Sequence, residues 1–201
     1  MTVAEPVTLI TDYLLAAVYG TLAAKLKRRG AATSTRLAAA ALLVTGTAAA
    51  LGGTYHGWPS VPLWKLTVYS LGLADFLTVA AAVFAAFRGP SRRWVLRLAA
   101  GKLAVYLAWI TFHDEFRYVI YDYLPALAAV VVFAFLADRR GQSRSARWIA
   151  AAALVTLAGS AVQQSGFALH RHFNHNDLYH VIQMGAAWLF YRGFGEFRDY
   201  P

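Results

Sequence analysis

Apolar residues occupy this chain in seven long blocks, near 6–25, 35–56, 63–87, 94–112, 116–137, 147–169 and 176–195. Each block is close to the ~20 residues that an α-helix needs to cross a hydrocarbon layer about 30 Å thick. Within most blocks there is no amphipathic stripe. They are apolar nearly all round, as befits helices that meet lipid and must satisfy their backbone polar groups internally. The interruptions carry turn chemistry: Arg29-Gly30, Gly57-Trp58-Pro59, Gly89-Pro90 and Arg140-Gly141. The pattern predicts an all-α fold, a single integral membrane domain over residues 1–201 built as a seven-transmembrane-helix bundle. The fourth block is the most broken, because Arg97 and Lys102 fall inside it. Near a cytoplasmic end, such side chains snorkel to the interface.

Composition agrees with the pattern. Of 201 residues, 59% are hydrophobic and 14% charged, against about a quarter charged in soluble domains. The absence of cysteine excludes disulfides, thiolate metal ligands and a thiol nucleophile. A net charge of +9 suggests nucleic acid at first sight, but its placement argues otherwise. Fifteen of the nineteen Lys and Arg residues lie in the first, third and fifth connections and at the C-terminal tail, from Lys25 through Arg198. The positive-inside rule turns this into topology: N-terminus outside, C-terminus cytoplasmic, in a plasma membrane, with no nucleic-acid partner. The Ala- and Arg-rich, Lys-poor composition fits a bacterium with a GC-rich genome.

All six histidines and seven of the ten acidic residues fall on the opposite, outer side. Asp12 belongs to the first helix, His56 ends the second and Asp75 lies on the third, roughly 18 Å below Leu63 at helical rise. Asp122 is on the fifth, near Pro125, where it is placed to answer backbone groups freed by the proline. His175, Asn176, Asp177 and His180 open the seventh. Residues three and four apart share a helix face, so Asn176 or Asp177 points with His180. His56 approaches at similar depth. The set His56, His180 and one of His175 or Asp177 is a candidate zinc triad, zinc at catalytic sites keeping three protein ligands and an open position for water. Asp75 or Asp12 is then placed to orient or deprotonate that water. Read without a metal, the same buried Asp and His residues make a proton relay or interhelical hydrogen bonds. His113, His170 and His172 read as loop residues at the interface.

In arrangement these residues resemble the seven-helix superfamily that joins alkaline ceramidases, progestin/adiponectin receptors and haemolysin-III-like membrane proteins. The resemblance rests on His56 at the end of helix two, Asp75 on helix three and His180 on helix seven. It implies a zinc ion held by three histidines and, in the enzymatic branches, hydrolysis of a lipid amide. The chain departs from the pattern at two places: Gly52 stands where the family has a Ser, and Asn176 stands where it has the first His of the helix-seven pair. The expectation is a zinc-dependent hydrolase acting on the amide or ester bond of a membrane lipid at the extracytoplasmic side, with Asp75 as general base. The alternative is a non-catalytic receptor or proton- or small-molecule-handling protein using the same cluster.

Overall fold

The computed structural model describes residues 3–201. Seven helices follow one another: α1 (Pro6–Arg29), α2 (Thr33–Gly57), α3 (Val61–Ala86), α4 (Gly89–Phe112), α5 (Arg117–Arg139), α6 (Ala146–Ser165) and α7 (His175–Phe194). Each apolar block became one helix. Six of them, α1 to α6, are long and apolar enough to cross a membrane. The seventh is not among these six; His175, Asn176, Asp177, His180, Gln183 and Arg192 dilute its apolar stretch. It nevertheless packs between α1 and α6 along the bundle.

The packing order is a closed ring, α1–α2–α3–α5–α6–α7 and back to α1, with α4 outside against α3 and marginally α5. Of α4 only Tyr106 and Ile110 are buried, and Trp94, Leu98, Val105, Trp109 and Phe112 stand out from it. An exposed apolar surface of this extent is of the kind that meets a membrane or another protein. Lys102 does not snorkel as the sequence suggested. It turns inward to Asp122 of α5, 2.6 Å away, and so ties the peripheral helix to the ring.

The two ends of the ring differ. At the arginine-rich end, Leu26, Leu42, Val83, Val130, Ile149 and Phe194 form a close-packed core with the alanines of α3 and α5. Small side chains let the helices approach closely where no hydrophobic drive separates them from lipid. The C-terminal tail seals this end. Phe197 is fully buried, the Tyr200 N–H donates to Phe84 O at 2.9 Å, and Asp199 accepts from the N–H groups of Thr33 and Ser34 at 2.7 and 2.8 Å. Partial burial pushes the Asp199 carboxyl up, but these bonds outweigh it and hold the group below the ordinary carboxylate range. It thereby caps α2, which has no capping side chain of its own. Asp138 does the same for α6, accepting from Ser145 N and Ala146 N at 2.9 and 3.0 Å.

α6 ends at Ser165, earlier than its apolar block, because Gly166 takes a left-handed conformation (φ 69°). Residues 166–174 then form a loop that carries His170 and His172.

Candidate binding site

At the other end the ring holds a cavity of about 200 Å³. Asp12 of α1, His56 of α2, Asn176 and His180 of α7 and Gln163 of α6 form its polar wall; Tyr55, Trp64 and Phe116 face it from α2, α3 and the start of α5. The approach of α1 to α2 depends on Gly53: a Cβ there would lie 2.8 Å from the Asp12 Cβ and 3.2 Å from Leu9 O. Gly52, next to it, fronts the cavity, with Asp12 Oδ2 3.6 Å from where its Cβ would be. Glycine at 52 and 53 is therefore a packing requirement at one position and free space at the other.

Asp12 is the first member of a hydrogen-bonded chain. Its Oδ1 lies 3.2 Å from His180 Nε2, and His180 Nδ1 lies 2.9 Å from Thr11 Oγ1. The Thr11 hydroxyl also lies 3.0 Å from Thr8 O and 3.3 Å from Asp177 Oδ1. One consistent assignment has the His180 Nε2–H donating to Asp12 and the Thr11 hydroxyl donating to Nδ1. All four side chains are buried. The chain reaches the cavity at its Asp12 and His180 members; Thr11 and Asp177 lie behind them.

Asp177, a candidate metal ligand on the sequence, is engaged in holding its helix. Its Oδ2 accepts from Asn174 N at 2.7 Å while Asn174 Oδ1 accepts from Asn176 N and Asp177 N, a reciprocal capping box. Asn174 three residues before Asp177 carries that signal in the sequence. Thr11 carries none, since its role exists only once α1 and α7 are side by side. His175 opens α7 but lines no part of the cavity. His56 shares the cavity with His180, and its Nδ1 pairs with Glu5 at 3.1 Å.

Asp75 is set apart from these residues. It lines a second, deeper cavity of about 130 Å³ that adjoins the first through Tyr19, Thr45, Tyr179 and Gln183. Asp122 pairs with Lys102 rather than answering the backbone near Pro125. His113 stacks on Trp109 at 4.0 Å, and His170 and His172 are exposed, all three away from the cavity as expected of loop residues.

These placements decide the fit to zinc. Among the described residues, no group of three or more His, Asp or Glu side chains is gathered as a metal ion requires. His56 and His180 face one space, but Asp177 is committed to its capping box, Asn176 is a weak ligand in place of the family's His, and His175 lies outside. The donor set does not fit a catalytic zinc.

Trp64 lines the cavity with its ring, while its Nε1 is buried without a partner. Trp64 is held at 5.3 Å from Tyr55 and 6.2 Å from Phe116, centroid to centroid. Leaving an indole N–H unanswered costs about 1–3 kcal/mol. No characterised protein and no solved structure matches the chain. A family model matches residues 7–199, and the chain belongs to that group, described as a family of unknown function (DUF6962).

Proposed function

We propose that the protein is a non-catalytic membrane binding protein, a receptor or carrier, that takes the amine-bearing head of a small amphipathic molecule into the Asp12–His180 cavity. The observation that carries this reading is the charge and chemistry of the wall. Asp12 is the acidic side chain on it, no Lys or Arg lines it among the described residues, and the rings of Tyr55, Trp64 and Phe116 line the other side. A carboxylate facing aromatic rings suits an ammonium group, through a charge-assisted hydrogen bond and cation–π attraction. The adjoining deeper cavity, bordered by Leu127, Val130 and Phe190, gives an apolar tail somewhere to lie. By the positive-inside rule, the cavity faces the outside of a bacterial plasma membrane, with the N-terminus outside and the C-terminus cytoplasmic.

The zinc-dependent hydrolysis expected from the superfamily resemblance has no third ligand in this geometry, so no step is assigned to a metal. The test uses a variant in which Trp64 is the sole tryptophan, reconstituted in bilayers and titrated with two brominated single-chain amphiphiles, an amine and a carboxylate. Saturable quenching by the amine, lost in Asp12→Asn, is expected, with the carboxylate quenching only in proportion to its membrane concentration. Equal, unsaturable quenching by both overturns the reading. So does one zinc per chain in the purified protein, lost in His56→Ala.

A further inference from the structure

Midway along the bundle, α3, α4 and α5 bring together two carboxyl groups and one ammonium. Lys102 Nζ donates to Asp122 Oδ1 at 2.6 Å. The other oxygen, Asp122 Oδ2, is buried with no partner, on a side chain only 6% exposed. Asp75 of α3 borders, together with Lys102, one cavity between α3, α4 and α5. A proton on one of the two carboxyl groups supplies the donor that Asp122 Oδ2 lacks, since neither carboxylate has a hydrogen to donate.

The charge count leads to the same place. Asp75, Asp122 and Lys102 sum to one negative charge, and the ionisable groups around them, Tyr69 of α3, Tyr106 of α4, Tyr123 of α5 and Tyr179 of α7, add no positive charge. An uncompensated charge at this depth costs several kcal/mol, and one proton removes it. Asp75 borders the cavity it shares with Lys102 on one side and, on the other, the deeper ring cavity that adjoins the outer one.

We propose that Asp75, Asp122 and Lys102 form a proton-binding site at the centre of the bundle, whose two carboxyl groups share one exchangeable proton taken from water in the adjoining cavity. Uptake forms one O–H bond on a carboxylate and leaves the triad neutral; release returns the proton to cavity water and leaves it at one negative charge. Lys102 sets the count at one. It neutralises the second carboxylate, and as a link from the peripheral α4 to the ring it makes the position of that helix sensitive to the proton. None of the three residues belongs to the wall of the outer cavity.

The carbonyl stretch of a protonated carboxyl group reads this site directly in infrared spectra of the protein in hydrated bilayers. At neutral pH the wild type is expected to show such a band, and the band is to shift on exchange into D₂O. Asp75→Asn and Asp122→Asn each remove it, since the remaining carboxylate pairs with Lys102 alone. Lys102→Met raises the band to about twice its area, because two carboxyl groups must then be neutral. Asp12→Asn leaves this pattern intact and serves as the control for the outer site. A wild-type spectrum without a protonated-carboxyl band overturns the proposal whether or not any variant folds. A band that Asp75→Asn and Asp122→Asn leave unchanged in folded protein also overturns it. A band that is present but fails to shift in D₂O over hours overturns the exchange with cavity water.

Discussion

Two adjacent glycines of α2 should respond to the same substitution with opposite signs. At Gly53, an alanine Cβ falls 2.8 Å from the Asp12 Cβ and 3.2 Å from Leu9 O. Both neighbours are fixed by the α1 backbone, so neither can swing aside, and contact at normal carbon–carbon distance (about 3.5–4.0 Å) requires α1 and α2 to part. Overpacking of this kind costs about 1–3 kcal/mol. At Gly52, the nearest atoms to the new Cβ are Asp12 Oδ2 and Thr67 Cγ2, each at 3.6 Å, an ordinary contact. There the change gains up to about 1 kcal/mol of helix propensity and loses nothing in packing. Thermal unfolding in detergent checks the pair. At roughly 2–4 °C per kcal/mol for a chain of this length, Gly53→Ala should melt several degrees below the wild type and Gly52→Ala at or slightly above it. Equal destabilisation by both, or a neutral Gly53→Ala, refutes the α1–α2 approach that places Asp12 against the cavity.

Other consequences follow from single contacts. Asp199→Ala removes a bidentate cap from α2 and should cost about 0.5–2 kcal/mol at neutral pH. Because the folded-state carboxyl is held below its unfolded value, that stability is present above the unfolded value of 3.8 and is lost as pH falls through the folded one. The wild type and variant should therefore melt apart at pH 7 and converge in strong acid. Asp177→Ala breaks the reciprocal cap of α7 and should lower stability by about 0.5–2 kcal/mol, whereas an equal effect from His175→Ala would contradict the assignment of Asp177 as a cap. Asp12→Asn should weaken binding of an amine-headed amphiphile roughly tenfold or more, the worth of one hydrogen bond to a charged group, as read by quenching of Trp64.

The helices were legible because lipid imposes a simple rule on sequence, some twenty apolar residues per crossing, and the turn residues between blocks stand out against it. The end of α2 is legible to one residue at Gly57-Trp58-Pro59, whereas α4 begins at Gly89, five residues ahead of its apolar block. The end of α6 was less legible, since Phe167, Ala168 and Leu169 continue the apolar run past the left-handed turn at Gly166. Asp12, His56 and His180 could be assembled from depth alone, because helix rise fixes depth. Rotation about a helix axis and the order of helices around the ring are not fixed by depth. Asp75 shares a bilayer half with His180, yet it faces α5 and not the outer cavity. Asp177 matches His180 by spacing, but its carboxylate turns back to the N-terminus of its own helix. Lys102 reads as an interfacial lysine in the sequence, but α4 lies outside the ring, where Asp122 is the partner within reach.

The most direct test of the central claim, an open polar cavity beside Asp12 at the histidine-rich end of the bundle, exploits a chain that contains no cysteine. A cysteine at Gly52 has room at 3.6 Å from its neighbours and fronts the cavity. In sealed right-side-out vesicles, a small membrane-impermeant thiosulfonate added outside should label Gly52→Cys, and prior loading with a single-chain amine should slow that labelling. A thiol that reacts only after the membrane is dissolved, or only from the inside, contradicts the account.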